Sequence, residues 1–201
     1  MSRVKICGLS RKEDIDAVNR VLPEYIGFVF APSRRRVGIQ TADRLKEKLD
    51  SRIKAVGVFV NEDIFAISEI VQNGIVDLIQ LHGDEDDAYI RQIKDVCNCP
   101  VIKSVGVGDI QPDLPDRPDY LLFDTISEQR GGVGSAFNWR ILKGYRGVPY
   151  FLAGGLSIKN TADAIQMLSP FCVDVSSGVE TDGYKDEEKI NGFVQLVRRM
   201  Q

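Results

Sequence analysis

Short apolar runs punctuate the chain at a nearly even interval. VKIC (4–7), YIGFVF (25–30), IKAVGVFV (53–60), VDLIQL (76–81), VIKSV (101–105), DYLLFD (119–124), PYFLAG (149–154) and CVDVSS (172–177) are rich in β-branched and aromatic residues. Most are continuously apolar rather than alternating, the pattern of strands buried on both faces of a parallel sheet. Helical patterns fill the gaps: DIDAVNRVL, TADRLKEKL, IFAISEIVQ, DAYIRQIKDV, NWRILKG, TADAIQML and EKINGFVQLVRRM. Ala42, Leu45 and Leu49 share one face of the second, and Ile64, Ile67 and Val71 share one face of the third. Side chains able to cap a helix stand where helices should start, Asn61 or Asp63 before the third and Asn160 or Thr161 before the last but one.

Strands alternating with helices fit either an open doubly wound sheet or a closed (β/α)8 barrel, the TIM barrel. Eight strands spaced by about 25 residues over 201 positions favour closure, near the small end for such barrels. The segment GVGDIQPDLPDRPDY (106–120), with three prolines, predicts a loop or a single turn in place of a full fifth helix. No stretch resembles a linker, so residues 1–201 are expected to form one barrel domain.

Composition narrows the function classes. A hydrophobic share of 43%, a charged share of 27% and a net charge of −3 describe an ordinary globular protein and argue against nucleic acid or an anionic membrane as partner. No apolar run approaches the roughly 18 residues needed to cross a bilayer. The chain passes from MSR straight into a strand pattern, which predicts a cytoplasmic protein. Cys7, Cys97, Cys99 and Cys172 read as free thiols; Cys97-Asn98-Cys99 has the wrong spacing for a C-x-x-C site, and the sole histidine, His82, is remote in sequence. No metal or cofactor is expected, and both a monomer and a homodimer stay open.

In a (β/α)8 barrel the chemistry sits at the carboxyl ends of the strands. That rule selects Cys7, the Ser33-Arg34-Arg35-Arg36 run, Asn61, His82, Lys103, Asp124, Gly154-Gly155 and Ser176-Ser177-Gly178. The small residues after strands seven and eight let backbone N–H groups approach a ligand, and these loops commonly hold a phosphate. The arginine run is either a solvated basic loop or a grip for a carboxylate, and its place after strand two favours the grip. Asp124 is either an acid or base, or a cap for the glycines of RGGVG (130–134). Cys7 is a core hydrophobe, a nucleophile or a base, and His82 a site-lining hydrogen-bonder or a structural histidine. Trp139 is expected to pack beneath the loop after strand six.

KICGL (5–9), GFVFAPSRRRV (27–37), VGVFVN (56–61), IQLHGDE (79–85), FDT with GGVGSAFNW (123–139), LAGGL (152–156) and DVSSGVE (174–180) resemble the phosphoribosylanthranilate isomerases of tryptophan biosynthesis, in order and over nearly the whole chain. The resemblance implies a cofactor-free Amadori rearrangement of a phosphosugar-anthranilate substrate. It assigns Asp124 as the acid that opens the furanose ring and Cys7 as the base that takes the C2 proton. It places the arginine for the anthranilate carboxylate at Arg35 or Arg36, depending on whether S-x-R-x-V or FVF sets the register. Gly154, Gly155, Ser176, Ser177 and Gly178 inherit the phosphate, with Asp174 orienting the last loop or touching a sugar hydroxyl. GIQT (38–41) departs from the family's usual Ser/Thr-Pro-Glu helix start. A sister synthase barrel would need a lysine acid and a glutamate base, and only Lys103 is at hand. A histidine-pathway isomerase would carry aspartate at position 7. A non-catalytic phosphate-binding barrel would have no need of both Cys7 and Asp124.

Overall fold

The computed structural model describes residues 2–108, 112–126 and 137–200. Eight parallel strands close into one barrel in sequence order: β1 (Arg3–Cys7), β2 (Tyr25–Val29), β3 (Lys54–Phe59), β4 (Leu78–Leu81), β5 (Val101–Val107), β6 (Tyr120–Thr125), β7 (Tyr150–Leu152) and β8 (Cys172–Val175). Closure comes from β8 pairing back onto β1, with Val4 beside Val173 and Ile6 beside Val175. Six helices alternate with them: α1 (Lys12–Val21), α2 (Ile39–Lys46), α3 (Ile64–Gln72), α4 (Asp87–Cys97), α5 (Thr161–Leu168) and α6 (Glu187–Arg199). A two-stranded antiparallel ribbon, β9 (Glu180–Thr181) with β10 (Tyr184–Lys185), decorates the loop after β8.

Two apolar cores follow from strands buried on both faces. The larger fills the shell between strands and helices, where Ile6, Phe28, Phe59, Ile79, Leu81 and Phe123 meet Ile15, Val18, Ile67, Ile90, Phe193 and Val194. The smaller fills the lumen floor with Tyr25, Val56, Leu78, Ile102, Leu122, Phe151, Ala153 and Cys172. Tyr25 and Tyr120 both meet Phe151 edge-on there, at ring separations of 5.4 and 5.7 Å.

Local signals account for most helix starts. Asp63, rather than Asn61, caps α3 by accepting from the N–H groups of Phe65 and Ala66. Asp86 and Asp186 do the same for α4 and α6. Asn160 precedes α5, but its side chain holds the preceding loop instead, accepting from Ser157 N–H and donating to the Gly155 carbonyl. Among the described residues no helix lies between β5 and β6, as the prolines foretell.

Two helical readings need correction. NWRILKG forms only a 3-10 turn at Trp139–Leu142, because the chain turns at Gly144 with φ at +90° before it can propagate. Trp139 still packs against the shell core. The second helix stops at Lys46, so Leu49 reaches the core from a turn beyond its end.

Helix α2 starts at Gly38, which supplies no side-chain cap, and its first turn carries no acidic residue. Gly38 has extended backbone (φ −81°, ψ 158°), and a Cβ there would meet nothing within 4 Å. Gly38→Ser is expected to stabilise the fold by about 0.5–1 kcal/mol through the new cap and a less flexible unfolded chain. Thermal unfolding should show a midpoint higher by about 1–4 °C.

Candidate active site

Alternation along a strand decides which side chains see the lumen. Above the apolar floor this puts Lys5 and Cys7 of β1, Gln80 of β4 with His82 just beyond it, Ser104 of β5, Asp124 of β6 and Asp174 of β8 on one polar layer. Lys5 is fully buried, and its Nζ donates to Asp174 Oδ2 and to Gln80 Oε1, each at 2.8 Å. An ammonium can only donate, so it fixes which end of the Gln80 amide faces it. The Gln80 amide nitrogen then lies 3.1 Å from His82 Nδ1 and 3.3 Å from Ser104 Oγ. Nδ1 must accept, which leaves the ring hydrogen of neutral His82 on Nε2, facing Asp124 Oδ2 at 3.7 Å. A single polar chain therefore crosses the barrel from Asp174 through Lys5, Gln80 and His82 to Asp124.

This layer perturbs its acids and bases. Burial pushes the Asp124 carboxyl up to about 6, with the Asp174 charge adding to the rise and the Thr125 N–H bond at 2.8 Å opposing it. Burial also raises the Cys7 thiol above its ordinary value; Lys5 pulls it back most, Asp174 pushes it up, and Lys185 pulls it back again. Burial works against the charge of Lys5 itself, but Asp174 and Cys7 more than offset this and hold the ammonium firmly protonated. Asp174 Oδ1 is buried and has no hydrogen-bond partner among the described residues, an unusual state for a carboxylate oxygen.

At the mouth, the loops after β2 and β8 are fastened together. Glu180 accepts from Arg35 Nε at 2.7 Å and Nη2 at 3.0 Å, from Arg34 Nη2 at 2.7 Å and from Lys185 Nζ at 2.6 Å. Burial resists the charge on Glu180, but Arg35 and Lys185 outweigh it and hold the carboxyl below its usual range. Lys185 also donates to the Ser176 carbonyl and hydroxyl, while Ser176 Oγ donates to the Cys7 carbonyl at 2.9 Å. Arg36 differs from its neighbours. It is exposed, its Nε donates to the Phe30 carbonyl at 3.1 Å, and it makes no ion pair among the described residues.

The two small-residue loops meet as expected. Gly154 has φ +80°, and a Cβ there would fall 2.5 Å from Thr125 Oγ1 and 3.3 Å from Asp124 Oδ1, so glycine lets the β7 loop reach the acid. Gly155 follows it in the left-handed region. Gly178, in a 3-10 turn at Ser177–Val179, lies where a Cβ would come within 2.0 Å of the Leu156 carbonyl oxygen. The β7 and β8 loops thus pack directly on each other.

Other candidates fall elsewhere. Lys103 lies in the middle of β5 and points away from the lumen, donating to the Gly83 carbonyl at 2.7 Å and pairing with Glu85 at 3.0 Å. Strand alternation explains this, since Ile102 and Ser104 take the inner face. Asn61 sits in a left-handed turn and accepts from the Asp84 N–H. RGGVG (130–134) lies outside the described residues. Among the described residues no group of three or more His, Cys, Asp or Glu side chains could hold a metal ion, and no helix is long and apolar enough to cross a membrane. Lys5, Gln80, Glu180 and Lys185 were not among the sequence candidates. For the first two a signal existed: VKIC and LIQLH each place a polar residue two positions before the strand-end one, which is the lumen register.

A parallel eight-stranded barrel with a carboxylic acid, a thiol and paired small-residue loops on one rim belongs to the class of (β/α)8 enzymes that handle phosphorylated sugars. Comparison with known proteins narrows the class. Residues 4–196 match the model of the family described as N-(5'phosphoribosyl)anthranilate (PRA) isomerase. The N-(5'-phosphoribosyl)anthranilate isomerase of Endomicrobium trichonymphae is 46% identical over 201 residues, covering 100% of both chains. The crystal structure of the Thermus thermophilus phosphoribosyl anthranilate isomerase superposes with a TM-score of 0.88 at 30% identity, covering 99% of this chain and 100% of that one. A phosphoribosyl anthranilate isomerase solved in complex with reduced 1-(o-carboxyphenylamino)-1-deoxyribulose 5-phosphate superposes at 0.84 with 32% identity, over 99% of this chain and 100% of that one. The chain belongs to the N-(5'-phosphoribosyl)anthranilate isomerase family, the isomerases of tryptophan biosynthesis.

Gly27, beside Cys7 on the neighbouring strand, supplies the room for the thiol: a Cβ there would lie 2.7 Å from Cys7 Sγ. Gly27→Ala is expected to displace the thiol, lower turnover at least about tenfold and cost about 1–3 kcal/mol by overpacking. Steady-state kinetics together with a denaturant melt would check both effects.

Proposed function

We propose that this chain converts N-(5'-phosphoribosyl)anthranilate to 1-(2-carboxyphenylamino)-1-deoxyribulose 5-phosphate in the cytoplasm, without a cofactor, with Asp124 as general acid and Cys7 as general base. The observation that carries the reading is the shared lumen rim: a carboxyl raised by burial at the end of β6 and a cation-flanked thiol at the end of β1. Proton transfer needs an acid and a base each within reach of its own substrate atom.

In the first step protonated Asp124 donates to the furanose ring oxygen. The C1–O bond breaks, its electrons stay with the oxygen as a new hydroxyl, and the C1–N bond becomes a protonated Schiff base. The Cys7 thiolate then removes the C2 proton. The C2–H electron pair forms C1=C2 and the C=N pair returns to nitrogen, giving an enolamine. Ketonisation adds a proton at C1 and removes one from the C2 hydroxyl, so that step is proton-neutral. His82 steadies the acid from one side, its own orientation set by Gln80. Asp174, with its uncommitted oxygen in the lumen, is placed to accept from a sugar hydroxyl. Gly154, Gly155, Ser176, Ser177 and Gly178 frame the phosphate through the β7 and β8 loops.

Of the two arginines left open by the sequence, Arg36 takes the anthranilate carboxylate. Arg35 is gripped by the Glu180 carboxylate through Nε and Nη2, whereas the outer nitrogens of Arg36 face no carboxylate among the described residues. Arg36→Met is therefore expected to raise KM roughly tenfold or more, on the scale of a lost charged hydrogen bond, with kcat little changed.

Each turnover leaves Asp124 bare and Cys7 protonated, which is also the distribution the resting site favours. The working form carries the same number of protons in the opposite places. kcat/KM should therefore fall as pH drops through about 6, where Asp124 of the resting form takes up a second proton. It should fall again above the ordinary thiol range, where both groups are bare. In Asp124→Asn the residual rate should rise with pH through the thiol limb and show no alkaline fall. The substrate can be made in situ from anthranilate and phosphoribosyl pyrophosphate and its fluorescence followed. Cys7→Ala and Asp124→Asn should each lower turnover at least about a hundredfold; fluorescence that persists with the intact protein would overturn the reading.

A further inference from the structure

The weakest chemical link in the proposed reaction is the thiol. A half-buried cysteine next to a carboxylate is a poor base, since loss of solvent and Asp174 both oppose its ionisation. Something on the lumen side must bear the charge of the thiolate while it exists. We propose that Lys5 is a positioning residue for the rearrangement: its buried ammonium, locked between Asp174 and Gln80, supports the Cys7 thiolate and so makes Cys7 competent as a base. This inference rests on the assignment of Cys7 as the base.

The geometry is unusual enough to need a reason. Lysine is almost never fully buried, and removing an ion pair from water costs more than its attraction commonly returns. An apolar side chain would continue the lumen floor at lower cost, yet position 5 carries an ammonium two residues before Cys7 on the same strand face. Cys7 and Lys5 occupy successive lumen-facing positions of β1, and Lys5 does the most to ease ionisation of the thiol. The other charged groups around the thiol do not replace it. Asp174 on β8 is anionic, and Lys185 on β10 lies beyond Lys5 in its effect on the thiol. Lys185 spends its donors on Glu180 and Ser176, and Arg34 and Arg35 are paired with Glu180. Asp124 and His82 stand across the lumen. The Lys5–Asp174 pair is neutral as a unit, but its positive member shares strand β1 and its lumen face with Cys7.

The test reads the thiol directly. Alkylation of Cys7 by iodoacetamide, followed by peptide mass spectrometry, gives the pH midpoint of thiolate formation, with Cys97, Cys99 and Cys172 resolved on their own peptides. Lys5→Met alone would strand a buried Asp174, so the charge-neutral Lys5→Met/Asp174→Asn double variant is measured beside it. Relative to Asp174→Asn alone, the Cys7 midpoint of the double variant is expected to rise by about 1 pH unit or more, the scale of one lost opposite charge at close range. Its kcat should fall more than tenfold beyond that of Asp174→Asn alone, with the difference in KM confined to about threefold. A double-variant Cys7 midpoint within about 0.3 pH unit of that in Asp174→Asn would overturn the proposal, whatever happens to turnover. The base assignment fails separately: Cys7→Ala turning over at the wild-type rate would remove it while leaving the alkylation shift intact.

Discussion

A buried ammonium at the centre of the barrel imposes order on everything above it. Lys5 can only donate, so Asp174 and Gln80 must each turn an oxygen toward it. Gln80 is thereby left with only its amide nitrogen for His82 and Ser104, and the histidine ring is left with only its far nitrogen for Asp124. One fixed charge thus dictates hydrogen-bond polarity in side chains of β8, β4 and β5 and turns the histidine N–H toward Asp124 of β6. Apolar shells hold it there: the floor of the lumen below, and the strand–helix shell around it, exclude the water that would otherwise dissolve the arrangement.

The same layer explains why two groups of ordinary chemistry acquire unequal proton affinities. Asp124 and Cys7 share a dry environment, yet burial penalises only the charged form of each, and both rise. Their resting state is carboxylate and thiol, the reverse of what the proposed general acid and general base would need. The division of labour therefore depends on neighbours rather than on intrinsic acidity, and those neighbours sit one layer deeper than the residues that meet substrate.

Much of this was legible along the chain, and the exceptions share a cause. All eight strands were readable because a strand buried on both faces writes itself as an uninterrupted apolar run, as in YIGFVF or DYLLFD. Cys7, His82 and Asp124 were readable as polar endings to such runs. The family resemblance, rather than any spacing, supplied their roles. Lys5 and Gln80 escaped because one polar residue inside an apolar run looks like noise until the lumen register is known. Lys103 was misread for the complementary reason: β5 runs on to Val107, past the apolar run, and parity turns position 103 to the shell. What sets Arg36 apart from Arg34 and Arg35 is tertiary pairing, since the Glu180 that binds those two lies about 145 residues away in the chain. The fifth helical pattern, NWRILKG, was overridden locally by a turn at Gly144 that its short apolar run could not outweigh.

Glu180 carries a consequence of its own. By gripping Arg34 and Arg35 from one loop and Lys185 from the other, it fixes the loop after β2 against the loop after β8. The span between these two loops is thus part of the folded chain, set before any ligand arrives. The rim behaves as a caliper with a locked jaw, its opening set by charge pairs within the chain itself.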